Sequence, residues 1–348
     1  MKAVIAHGAG DLRVEERAAG QVPVGFVRIR VTHGGICGSD IHYYKHGRVG
    51  AFALTEPLIL GHEIVGTIAQ DERVDGWAVG TPVTVHPAAY DLSVPEYRAD
   101  RPNISADVRY LGSAAVTPHT QGAFSEFFTV DARQVRELPA SLPLERGVLA
   151  EPLGVALHAL NRSGGIVGRS VFISGAGPIG LLAARAAVVL GAQSVWIGDL
   201  LEHPLAVAEL LGVSGTLQIG VDTIPARAFD VIIEASGAPG ALNQAIRSAR
   251  SGGTIVQVGM LPAAPSPYVL AELVSREIDL RGSFRFDEEI DEAIDLLWRD
   301  EVFGAVITHT IDADQAAHAF EIAADAARSS KVVLRMWESS ARNERHAS

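Results

Sequence analysis

The sequence predicts an α/β protein in which a β-rich domain of short strands is interrupted by a doubly wound parallel sheet. Three observations lead there. Up to about residue 150, short apolar runs are separated by Gly, Pro and Asp. After Glu151, apolar strands alternate with helices. Near the C-terminus the run KVVLRM reads as one more strand, placed to return to the first domain.

In the first region the runs Val27–Val31, Ile64–Ala69 and Pro82–Val85 read as strands of a small irregular barrel with long loops. The second region opens with the strand Ser170–Ser174, then GAGPIG, then an Ala/Leu-rich helix to Leu190. Ser194–Gly198 is the next strand and ends at Asp199. A helix at Pro204–Leu211, a strand at Asp230–Ala235, a helix at Pro239–Ala249 and a strand at Gly253–Gly259 continue the alternation. A helix at Glu289–Trp298, a strand-like ITHTI and a last helix precede KVVLRM. The expected domain limits are 1–152, 153–286 and 287–348, the first and last forming one split domain.

The chain of 348 residues suits two domains, and 48% hydrophobic residues suffice for full cores. A net charge of -12 without basic clusters argues against a nucleic-acid partner but leaves room for a small anionic ligand in a local cationic pocket. One cysteine excludes an intrachain disulfide. The N-terminus MKAVIAHGAG lacks the apolar core of a signal peptide, and the longest apolar stretch, Ile179–Ala192, contains Arg185 and is too short to span a bilayer. A cytoplasmic protein without a membrane partner is expected.

GAGPIG carries Gly175, Gly177 and Gly180 between a strand and a helix. Gly175 permits a tight turn, Gly177 lets the backbone approach a pyrophosphate, and Gly180 allows close helix–strand packing. The helix N-terminus adds free N–H groups and a positive dipole end. This is the Rossmann pattern for a dinucleotide. Asp199 suits the ribose hydroxyls and repels a 2′-phosphate, and no Lys or Arg lies between Asp199 and Ala208, so NAD is expected over NADP. A helix N-cap is the other role open to Asp199.

A second signal lies in GGICGSDIHYYKHGRVG and LGHEIVG. Cys37 is the only thiol, set in a Gly-rich loop, and His62–Glu63 follow. Thiolate, imidazole and carboxylate together suit zinc; a small buried hydrophobe is the alternative role for Cys37.

With GGICGSDIHYY, LGHEIVG, YLGSA, AEPLGVALHA, VFISGAGPIG, VQVGM and LRGSFRF in this order, the chain resembles the zinc-containing medium-chain dehydrogenases of the sorbitol dehydrogenase branch over nearly its whole length. The resemblance implies a GroES-like catalytic domain split around the Rossmann domain. It makes Cys37 and His62 zinc ligands, and matches Glu63 and Glu151 to two acids that alternate between binding the metal and hydrogen-bonding beside it. A structural acid at a helix N-terminus is the other role for Glu151. Ser39 and His42 match the proton relay, while Asp40 orients the loop. Tyr43, Phe284 and Arg285 fall where the branch contacts substrate; a salt bridge is the alternative for Arg285. Pro178, Ile179, Val258, Gly259 and Ser283 join the cofactor contacts.

Many relatives carry a structural zinc lobe with four cysteines. Here Asp91, Val94, Tyr97 and Ser105 stand at those positions, so one catalytic zinc and no structural zinc are expected, with Pro87, Pro95, Tyr97 and Pro102 stiffening the lobe. The implied reaction is oxidation of a secondary hydroxyl with hydride transfer to NAD. The loop YLGSAAVTPHTQGAF resembles that of the L-idonate dehydrogenases, which points to a sugar acid, L-idonate oxidised to 5-ketogluconate. Its carboxylate needs a cation, with Arg285, Arg48 and Arg109 as candidates and His46 and His119 as weaker donors. A neutral polyol, sorbitol or xylitol, is the alternative substrate. A zinc-free quinone reductase and a non-catalytic, crystallin-like nucleotide-binding protein are the rival classes. The family also implies a homo-oligomer, dimer or tetramer, joined near the Ile278–Phe284 strand.

Overall fold

A computed structural model describes residues 1–70, 76–93, 97–106, 108–261 and 267–337. Val94 and Pro95 of the cysteine-free lobe lie outside the described residues.

Two sheets carry the fold. The first contains, in spatial order, Val135–Glu137, Pro82–Val85, Glu63–Gln70, Phe26–Gly35, Lys331–Arg335 and Ile307–Asp312, with Phe127–Asp131 also on Phe26–Gly35. Over most of its length Phe26–Gly35 alternates half-buried and buried residues, as a strand with one face on a core should. The strand at the C-terminal end, Lys331–Arg335, lies antiparallel to Phe26–Gly35, pairing Val333 with Gly35 and Arg335 with His33. The chain therefore closes its first domain with its last strand, as the KVVLRM run predicts.

The second sheet is parallel throughout, in the order Gly215–Gln218, Ser194–Asp199, Ser170–Ser174, Phe229–Glu234, Ala249–Gln257, Asp279–Gly282. Ser170–Ser174 is buried along its whole length, which is why it reads as a continuous apolar run. The strand order reverses beside it, so the crevice at its carboxyl end is where ligands of such sheets bind. Asp279–Gly282 forms the edge.

The helix Ala150–Arg162 joins the halves. Its buried face shares one core with the helices Pro178–Val189 and Glu289–Arg299. The expected limit at 152 falls in the first turn of this helix. Among the described residues, no helix is long and apolar enough to cross a membrane.

Candidate active site

The nucleotide side is built from backbone. Gly175 has φ +98°, and a Cβ there would come within 2.8 Å of the Ser236 nitrogen. A Cβ on Gly180 would collide with the Gly175 carbonyl, whereas one on Gly177 would point into open space. The three glycines thus serve the turn, the packing and an open approach, as the spacing predicts. Pro178 and Ile179 begin the helix that Gly177 precedes. Asp199 ends its strand with Oδ2 accepting from the Ala176 amide (2.8 Å) and Oδ1 from Leu201 (3.0 Å). The helix beyond starts at Glu202 with Leu201 before it, so Asp199 does not cap it. Its carboxylate is instead tied to the glycine loop, with lone pairs to spare. The Val258 and Gly259 amides both donate to the Glu234 carbonyl at 2.9 Å, and the Ser283 amide donates to Gln257 at 3.0 Å. The Ser283 Oγ is buried without a partner. These residues line the carboxyl ends of adjacent strands.

The other side is built from charged side chains. Cys37 precedes the helix Gly38–His46. Asp40, fully buried, accepts from the Cys37 amide (3.0 Å) and the Gly61 amide (3.1 Å). It ties the cysteine loop to the loop carrying His62. Ligand atoms of Cys37, His62 and Glu63 lie within 4.8 Å of one another. A Cβ on Gly35 would strike the Glu63 carboxylate, so the GG of GGICG leaves that acid its space.

Two residues that sequence reasoning did not single out complete this cluster. Lys331 is buried and donates to both Glu63 oxygens (2.8 and 2.7 Å) and to the Ile36 carbonyl (3.1 Å). Tyr110 donates to Glu151 Oε1 at 2.5 Å. The available signals are a lysine within the apolar run KVVLR and a tyrosine opening YLGSA. Glu151 lies beside the cluster, near enough for its charge to act on His62 and Glu63.

The electrostatics suit a cation. Burial opposes charge on His62, yet Cys37, Asp40 and Glu151 outweigh it and push the ring up to about 10. The His62 Nδ1 is buried with no hydrogen-bond partner. A thiol, an imidazole and a carboxylate within one ion's reach fit zinc by donor type.

Ser39 sits in the first turn of the Gly38–His46 helix, half-buried, and His42 is exposed one turn on, 5.6 Å from the His46 ring. Tyr43 is buried in the core, its hydroxyl accepting from the Ala114 amide at 2.8 Å. Phe284 is exposed. Arg285 lies over the Tyr110 ring at 4.3 Å and the Phe284 ring at 4.8 Å, and makes no ion pair among the described residues. Burial lowers its pKa, against the pull of Tyr110, Tyr90, Glu151 and Tyr43. The other cation candidates are engaged or exposed. Arg48 binds the Gly50 carbonyl at the surface, His46 and Arg109 are exposed, and both ring nitrogens of His119 are used by Val116 and Thr55.

Residues 24–140 match the alcohol dehydrogenase GroES-like domain and residues 178–299 the zinc-binding dehydrogenase domain. Sorbitol dehydrogenase of Gallus gallus is 34% identical over 331 residues, 92% of each chain. L-idonate 5-dehydrogenase (NAD(P)(+)) of Escherichia coli K12 is 35% identical over 274 residues, 77% of this chain and 79% of its own length. The crystal structure of the Escherichia coli L-idonate 5-dehydrogenase superposes with a TM-score of 0.90 at 31% identity, covering 96% of this chain and 97% of that one.

The chain is a zinc-dependent medium-chain dehydrogenase of the sorbitol dehydrogenase branch.

It is thus an oxidoreductase of the zinc-dependent alcohol/polyol dehydrogenase family, with a GroES-like domain and a Rossmann sheet. Within this dehydrogenase, the zinc-type donors and the glycine turn belong to different sheets.

Proposed function

We propose that the enzyme oxidises a sugar acid, L-idonate at C5 to 5-ketogluconate, with NAD as acceptor. The carrying observation is Arg285: a guanidinium drawn out of water, beside the Tyr110–Glu151 pair, without a carboxylate of its own. Such a group favours an anion, and a fork of N–H donors suits a carboxylate. The similarity to L-idonate 5-dehydrogenase supports the same reading. A neutral polyol is the second reading, since the Tyr110 and Phe284 rings already offer the cation partial compensation.

Cys37, His62 and Glu63 would hold one zinc, with Glu151 as the alternate acid. Zinc supplies a Lewis acid that lowers the pKa of the substrate hydroxyl. NAD, held at Gly175, Gly177, Pro178, Ile179 and Gly180 with Val258, Gly259 and Ser283 nearby, supplies the hydride acceptor. Asp199 disfavours a 2′-phosphate. Ser39 Oγ takes the hydroxyl proton while passing its own to His42, which hands it to solvent. Burial and the neighbouring His46 hold His42 below its ordinary pKa, so it is neutral at pH 7 and able to accept. Tyr43 and Phe284 border the substrate. The domain limits are placed at 152 and 286. We also infer a cytoplasmic homo-oligomer, dimer or tetramer, joined through the edge strand Asp279–Gly282, where Leu280 is exposed.

The test compares L-idonate, gluconate, sorbitol and xylitol at matched concentrations, following NAD reduction. L-idonate turning over fastest, with a preference that salt weakens, is the expected result; faster neutral polyols with no salt effect would leave only the polyol reading. Elemental analysis should give one zinc per chain. Cys37→Ala should remove it and lower turnover by at least about a thousandfold, while NAD affinity stays within about twofold because the glycine turn is elsewhere.

A further inference from the structure

The turn Phe284–Asp287 follows the edge strand and presents Arg285. Arg285 has φ +56°, a left-handed conformation that costs a non-glycine residue about 1 kcal/mol. Something must hold it. Asn103 Nδ2 donates to the Phe284 carbonyl (2.8 Å), His86 Nε2 donates to the Asp287 carbonyl (2.7 Å), and Glu289 Oε2 accepts from the Asp287 amide (2.8 Å). Phe286 packs between the His86 ring (4.8 Å) and Gly154, where a Cβ would sit 3.2 Å from it.

Asn103 belongs to the lobe in which the family resemblance places the missing cysteines. It is buried, on the short turn Pro102–Ile104. Its orientation is set by a relay of donors. Glu289 Oε1 lies 2.7 Å from His158 Nδ1, which fixes the proton on that nitrogen. His158 Nε2 is then an acceptor and takes one Asn103 N–H at 3.3 Å. The second N–H is left for Phe284. His158 lies seven residues beyond Glu151 on the same helix, and Gly154 three beyond it, so one helix face carries the acid of the metal site and two supports of the Arg285 turn. The lobe also brings Tyr90 to this turn. Its hydroxyl is buried without a partner, within electrostatic reach of Arg285 and Asp287.

We propose that Asn103 is a positioning residue: the lobe, through its amide, holds the Phe284–Asp287 turn so that Arg285 faces the substrate, and thereby sets the preference for anionic over neutral polyols. This rests on the reading of Arg285 as a substrate contact. Asn103→Leu keeps the volume and removes both donors without adding charge. It should raise KM for L-idonate about tenfold, with kcat and the efficiency towards xylitol changed less than about twofold. In an Arg285→Ala background the same substitution should change neither substrate's KM, since its effect passes through Arg285. If Asn103→Leu lowers the melting temperature enough to obscure kinetics, Asn103→Ala, which leaves room for a water, takes its place. An equal loss for both substrates, no loss for either, or an undiminished loss in the Arg285→Ala background, would overturn the proposal. Arg285→Ala that leaves the preference for L-idonate intact would overturn the substrate reading itself, and the positioning role with it.

Discussion

Two acids in this protein, Glu63 buried and Glu289 half-buried, meet a basic partner at the same distance and respond in opposite directions. Glu63 has Lys331 at 2.7 Å, and Glu289 has His158 at 2.7 Å. Burial raises Glu63 more than Lys331 lowers it, with Glu151 adding repulsion, and the group is pushed up to about 7. Burial also works to raise Glu289, but the His158 hydrogen bond and the Asp287 amide outweigh it and hold the group at about 2. Depth and company explain the difference. The Glu63 side chain is 1% exposed and shares its space with other anions, whereas Glu289 is 13% exposed and has several donors. A close cation alone does not make a fully buried carboxylate comfortable. The Glu63 region is short of positive charge, which suits a bound cation; Glu289 is held by hydrogen bonds from His158 and the Asp287 amide.

The largest expected effect breaks the Glu63 pair. Lys331→Met leaves an acid buried without its cation and should cost about 3–5 kcal/mol of stability in metal-free protein, read by urea denaturation. Adding Glu63→Gln should return part of that loss, because the buried side chain then need neither stay charged nor take up a proton. A single variant within about 1 kcal/mol of the wild type would show that Lys331 does not offset the Glu63 charge.

The Lys331–Glu63 pair also marks where sequence reasoning stops. The glycine turn is legible because Gly175, Gly177, Gly180 and Asp199 act through local backbone geometry within one strand–helix–strand unit. Cys37, His62 and Glu63 are legible as donor types, though their convergence depends on Asp40 bridging two loops. Lys331 stands 268 residues from Glu63 and reaches it only because the last strand pairs with Phe26–Gly35. Tyr110, 41 residues from Glu151, and Asn103, 181 residues from Phe284, are invisible for the same reason. No periodicity or spacing encodes a contact made by tertiary closure.

A smaller effect sharpens the Glu289 side. Its folded pKa of about 2 lies below the ordinary 4.5, so its stabilisation is complete above that value and drains away as the pH falls towards 2. The full contribution is about 3 kcal/mol. Glu289→Gln should therefore be less stable than the wild type at pH 6, with the gap narrowing between pH 5 and pH 3 in denaturation curves. A gap independent of pH would assign the loss to packing.

The smallest effect on stability belongs to a pair at the surface, and it tests whether depth is the governing variable. His42 and His46 lie one turn apart, both exposed, with rings 5.6 Å apart. Partial burial and the neighbouring imidazole lower the His42 pKa. His42→Ala should move the melting temperature by no more than about 2 °C, because no buried partner is orphaned. Its effect should fall on the reaction instead. Alcohol oxidation releases a proton, and a neutral His42 can carry it from Ser39 to solvent; without the imidazole, hydroxide must take it. Oxidation should slow about tenfold or more near pH 7 and recover as the pH rises towards 10. Reduction of the ketone, which consumes the proton, should lose its own rate in the same pH range. A variant with unchanged pH–rate profiles in both directions would remove His42 from the relay, and a variant that unfolds would show that an exposed pair can matter as much as a buried one.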